Sequence, residues 1–94
     1  MTIGVSHDLE TGDVVLVDAA AKTIDDFSPS KARKLASKLR AAAASGTSVL
    51  VIATANNGRQ IKLGGTAEHA IGMADDLERN AELAMAIRRQ KSAT

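Results

Sequence analysis

TSVLVIATANNGRQIKLGG, residues 47–65, reads as two β-strands joined by a turn. The run SVLVIAT is apolar at consecutive positions and rich in β-branched residues, which suits a central strand covered on both faces. Asn57 and Gly58 both tolerate positive φ, so NNG between strands points to a two-residue type I′ hairpin. Strands this local in their pairing set the class of the fold: everything on either side must pack against a hairpin.

Downstream, Thr66 is placed to cap a helix running to about Ile87. Met73, Leu77, Ala70, Ala81, Ala84, Ala74 and Met85 share one stripe of it at 3.6-residue spacing. Arg88 falls on that same stripe, so the packed part is expected to finish near Ile87, with 88–94 a frayed basic tail. Upstream, Ser28 is an N-cap and Pro29 fits the first helical position, where its missing N–H costs nothing. That helix runs to Ser45, and Gly46 is expected to close it in the left-handed conformation. Its core stripe is Ala32, Leu35, Ala36, Leu39, Ala42 and Ala43. Further upstream, TIGVSHDLETGDVVLVD, residues 2–18, is a second hairpin that turns at Gly12. AAAKTIDD, residues 19–26, has no clear period and reads as a connection.

The order is therefore ββαββα: an α+β fold with a four-stranded antiparallel sheet and two helices in one domain over residues 1–87. Setting Gly12 on Gly58 aligns Ile3 with Val49, Val5 with Val51 and Val15 with Ile61, the pattern an internal duplication leaves. Leu50 and Ile52 point opposite to Val49 and Val51, so a sheet covered once would leave them wet. An apolar sheet face of this kind marks an interface. Leu50 and Ile52, with Val14 and Leu16 from the first hairpin, are the residues expected to bury it in a homodimer.

Composition narrows the function by exclusion. The chain has 94 residues, no Cys and a single aromatic, Phe27. Disulfides and thiolate metal sites are excluded, and base stacking on exposed aromatics with them. No basic segment followed by an apolar run opens the sequence and no stretch approaches a membrane span, so a soluble, cytoplasmic protein is expected. His7 and His69 are not spaced as metal ligands. Ser6, His7 and Asp8 carry the names of a hydrolase triad, but neighbours on a strand point to opposite faces and cannot converge. LGGT before a helix lacks the length and the Lys of a nucleotide-binding loop. No enzyme, cofactor or small-molecule substrate is expected.

The net charge of +1 conceals segregation along the chain. Residues 1–26 carry six acidic side chains against Lys22, and residues 66–82 carry five against Arg79. Between them, residues 27–65 carry seven basic side chains and no acidic one: Lys31, Arg33, Lys34, Lys38, Arg40, Arg59 and Lys62. On the first helix Lys31, Lys34 and Lys38 lie along one flank and Arg33 and Arg40 along the other. Small residues, Ser30, Ser37, Ala41 and Ala44, lie between the two flanks.

Two readings follow. In one, the chain is a small non-enzymatic interaction or regulatory protein that docks on another protein. In the other, the seven basic residues contact the backbone of duplex DNA, which needs no aromatics.

The first half, VSHDLETGDVVLVD followed by SPSKARKLASKLRAAAASG, resembles small proteins of actinobacteria and their phages. In those, a Thr-Gly-Asp hairpin leads to a Ser-Pro-capped, Ala/Leu-rich helix. It also resembles the hairpin-plus-helix dimerisation domain of Lsr2-type actinobacterial nucleoid proteins. The likeness spans about forty-five residues. It implies a phage or actinobacterial origin and a homodimer; under the interaction reading, a phage-encoded chain would bind a host protein. The Arg-Gly-Arg hook that such nucleoid proteins use on DNA is absent, so no functional residue transfers.

Overall fold

Two helices pack side by side and carry two small antiparallel sheets, rather than the single four-stranded sheet expected. A computed structural model describes residues 3–18, 20 and 22–92. The chain runs β1 (Gly4–His7), β2 (Val14–Val17), β3 (Thr23–Phe27), α1 (Pro29–Ser45), β4 (Ser48–Thr54), β5 (Gln60–Thr66) and α2 (Ala67–Ser92). β1, β2 and β3 form a meander, and β4 pairs with β5 alone. The α+β class and the alternation of hairpins with helices stand, while the sheet divides in two.

The added strand is β3, in the stretch without a readable period. TIDDF puts two carboxylates side by side, a sequence that local propensity steers away from strand. It is held by β2, with Val14 opposite Phe27 and Leu16 opposite Asp25. The register slips between Leu16 and Val17, leaving Ile24 as an extra residue, a bulge. Phe27 enters the core at 1% exposure. No counterpart of β3 lies between β5 and α2, so the two halves of the chain differ by a strand.

Both turns rely on a glycine with positive φ. At the first, Asp8 Oδ1 accepts hydrogen bonds from the N–H groups of Glu10 and Thr11 at 2.8 and 3.3 Å. Gly12 then turns the chain at φ 70°. Those N–H groups hold the Asp8 carboxyl below its ordinary value. A lowered folded pKa adds stability that is present above the ordinary carboxylate range and is lost as pH falls through the lowered value. Asp8→Asn is expected to flatten the acid limb of a stability–pH curve.

At the second turn, Gly58 N–H donates to Ala55 O, so Asn56 and Asn57 are the central residues and Gly58 follows at φ 86°. This is a three-residue loop with a glycine bulge, not the two-residue type I′ turn expected.

Ser28 caps α1 by accepting from Lys31 N–H, with Pro29 in the first turn. Gly46 ends the helix in extended backbone at φ −173°, so no left-handed residue is required there. Thr66 Oγ1 caps α2 through His69 N–H at 3.1 Å. Most of the expected core stripes is buried, while Ala42, Ala43 and Met85 are half-buried. Ala32, Leu35, Ala36 and Leu39 of α1 meet Ala70, Met73, Ala74, Leu77, Ala81 and Ala84 of α2. Alanines at so many facing positions let the helix axes approach closely, which is how a core with one aromatic is filled.

α2 does not stop at Ile87. Its helical backbone continues through Ser92, and Ala93 and Thr94 lie outside the described residues. Arg88 is itself exposed and folds back over the first turn. Its Nε donates to Gly12 O at 2.8 Å, and its guanidinium pairs with Asp13, which is nearly buried. A side chain on Gly12 would strike Arg88 Cγ, which ties the glycine to this contact as well as to its φ. Arg88→Ala is expected to cost about 1–2 kcal/mol, because a charge-assisted pair is lost and Asp13 is left half-satisfied. Hydrogen exchange should show the last turns of α2 fraying.

Among the described residues no helix is long and apolar enough to cross a membrane.

Candidate interaction surface

The outer face of β4–β5 takes its character from strict alternation. Val49, Val51 and Ala53 turn inward to the helices, while Ser48, Leu50, Ile52 and Thr54 face out. The run read as a central strand is thus covered on one side only. Leu50 is 71% exposed and Ile52 46%. Across the hairpin Lys62 stands opposite Ile52, and Gly64, lacking a side chain, stands opposite Leu50. Covering one such aliphatic side chain is worth about 1.5–3 kcal/mol.

Val14 and Leu16 are elsewhere. Both are fully buried in the chain's own core. They line the inward face of β2 under the helices and offer nothing to a second copy. Of the four residues expected at a dimer interface, only Leu50 and Ile52 remain on a surface.

The seven basic residues of the acid-free segment divide three ways. Lys31, Lys34 and Lys38 line a groove between α1 and β4, together with Phe27, Leu35, Ile52 and Thr54. Lys31 reaches across it to Ala55 O at 3.5 Å. Lys62 lies on the far side of Ile52. These four lysines are exposed and form no ion pair among the described residues.

The arginines do other work. Arg40 bridges to α2, pairing with Asp75 and with Glu78 at 3.2 Å. Arg33 forms no ion pair among the described residues; it lines one groove with Ser37, Glu78 and Glu82 and another with Arg79, Glu82 and Arg89. Arg59 sits at the hairpin tip, 3.6 Å from the Asp25 carboxylate. Two continuous basic ridges bounding a shallow groove of small residues therefore do not form. The lysine ridge carries no ion pair among the described residues, whereas Arg40 of the other is spent on α2.

Asp25 explains how β4–β5 is held at its angle. It is 6% exposed, and its Oδ1 accepts from Asn57 Nδ2 at 3.0 Å. Its Oδ2 is buried with no hydrogen-bond partner and has only the Arg59 charge beside it. Asn56 completes the latch: its N–H donates to Asp26 O and its Oδ1 accepts from Ser28 N–H, both at 2.9 Å. The same asparagines that look like turn formers in sequence thus fasten the second sheet to the first.

His7 and His69 remain apart in function as in sequence. His7 Nδ1 meets Asn80 Oδ1 at 2.8 Å, a contact between β1 and α2. Among the described residues no group of three or more His, Cys, Asp or Glu is placed to hold a metal ion. No family model matches the chain, no curated protein matches it, and no solved structure matches it.

Proposed function

We propose that the chain is a protein-interaction module whose outer β4–β5 face and adjoining α1 flank receive an acidic, partly apolar segment of a partner protein. The observation that carries this reading is the pairing of Leu50 and Ile52, both outward, with a frame of four lysines that form no ion pair among the described residues. A partner matching both features gains apolar burial at the centre and charge complementarity at the rim. A second copy of this chain matches only the first. A two-fold axis through Leu50 and Ile52 would bring two lysine frames together with no carboxylate between them. Duplex DNA matches only the second, leaving Leu50 and Ile52 idle and finding Arg40 and Arg59 already engaged.

The test uses a fluorescein-labelled heptapeptide that alternates glutamate with valine, its lysine-for-glutamate counterpart, and a twenty-base-pair duplex. The acidic peptide is expected to bind, and the basic peptide and the duplex are not. Leu50→Asp with Ile52→Asp should abolish binding, and Lys34→Glu with Lys38→Glu should weaken it at least tenfold. Both pairs are exposed, so thermal melts should be unchanged within about 0.5 kcal/mol. The DNA reading wins if the duplex binds with a log–log salt slope near −3.6, about 0.9 for each of four lysines, and ignores the Asp substitutions.

A further inference from the structure

The four strand edges that flank the two sheets are not all met alike, and the difference points to a binding mode. The Asp8–Asp13 hydrogen bond fixes the phase of the β1–β2 ladder, so Val5 turns its N–H and C=O to the outer edge of β1. There Asn80 of α2 donates to Val5 O at 3.5 Å. By the same phase rule Asp26 faces the outer edge of β3, and Asn56 N–H takes its carbonyl. On each outer edge of the three-stranded sheet an asparagine thus meets one outward carbonyl.

β4 is different. The hydrogen bonds Ala55 N–H to Arg59 O and Ala67 N–H to Thr47 O set the phase of this hairpin at both ends. Residues 49, 51 and 53 therefore spend their backbone groups on β5, while Leu50, Ile52 and Thr54 turn theirs to the opposite edge. No backbone or side-chain group among the described residues meets them there. Along that edge runs the α1–β4 groove, with Lys31, Lys34 and Lys38 as its far wall. The other edge of this hairpin, along β5, carries Lys62 in the middle of the strand and two glycines near its end, features that discourage strand pairing.

We infer that the α1–β4 groove is a strand-addition site, in which an extended acidic segment of a partner pairs with the free edge of β4 beneath Lys31, Lys34 and Lys38. This rests on the interaction reading above and supplies its mode. Side chains of an added strand alternate between the two faces. One set points toward the lysines of α1 and the other extends the apolar face of Leu50 and Ile52. Alternation of acidic with apolar residues is the pattern that fits both. The backbone hydrogen bonds give affinity, and the alternate side chains give specificity, as in other strand-addition complexes.

The experiment keeps the protein unaltered and changes the backbone of the probe. Two versions of the glutamate–valine heptapeptide are compared with the parent, one N-methylated at the glutamates and one at the valines. Each version blocks one edge of an extended peptide. The expected result is at least a tenfold loss for one version and less than a threefold change for the other. Amide exchange at Leu50, Ile52 and Thr54 should slow at least tenfold when the parent peptide is bound.

Equal tolerance of both versions, or unchanged exchange at those amides, overturns strand addition while leaving a face-docking partner in place. A loss with both versions overturns it too, since a single added edge cannot need both sets of N–H groups. If the parent peptide itself fails to bind, the interaction reading falls first.

Discussion

Phe27→Ala is expected to lower the unfolding free energy by about 3–5 kcal/mol, the usual range for a buried aromatic truncated to alanine. The site gives little room for recovery. Phe27 is 1% exposed and shares the core cluster with Val14, Leu35 and Leu39. It is the one aromatic of the chain, so no other ring is present to fill the void. Domains of this size are stabilised by about 5–15 kcal/mol in total, so the variant loses a large share of what it has. Urea denaturation with an unchanged slope and a shifted midpoint is the readout. A shift worth less than about 1 kcal/mol would mean that β3 is not part of the folding core. Phe27→Leu should recover most of the loss, because it restores much of the volume.

Asn80→Ala is expected to cost about 2–4 kcal/mol, a large effect for an amide. Asn80 is nearly buried on the packed side of α2. Its Nδ2 donates to Asp76 O at 2.9 Å and to Val5 O at 3.5 Å, and its Oδ1 meets His7 Nδ1 at 2.8 Å. Removing it leaves an edge carbonyl of β1 and an imidazole nitrogen without a partner, at about 1–3 kcal/mol for each unsatisfied group. His7→Ala made together with it should cost less than the sum of the two single changes, since the histidine has already lost its partner. Strict additivity would show that the His7–Asn80 contact is not a working hydrogen bond. Hydrogen exchange should localise the damage to β1, whose outer edge opens.

Asn80 also shows where pattern reading stops. It lies on the apolar stripe of α2 between Leu77 and Ala81 and reads as a polar interruption. Only the position of the β1 edge gives it a purpose. Arg88 is the same case in a stronger form. Its place on the stripe marks the end of packing if apolar character is the criterion, yet its guanidinium finds Asp13 and Gly12 some seventy-five residues away. The candidate surface divides along the same line. The flank of Lys31, Lys34 and Lys38 follows from helical geometry, and the outward direction of Leu50 and Ile52 follows from strand geometry. That Arg40 and Arg59 are spent on Asp75, Glu78 and Asp25 follows from neither.

The sequence by itself determined the two helices, their N-caps, most of their core stripes, both hairpins and the acid-free segment. Each of these is encoded within a few residues by periodicity, by φ preference or by a side chain's reach to its own backbone. Tertiary structure alone decided that TIDDF is a strand, that the sheet breaks after it, and that asparagines meet an edge carbonyl of β1 and of β3 while Leu50, Ile52 and Thr54 of β4 have no such partner among the described residues. A strand that buries a carboxylate is stable only when a distant partner meets the charge, and Asp25 obtains Asn57 and Arg59 from a turn thirty residues further on. Such pairings depend on where the whole chain goes, and no local window contains them.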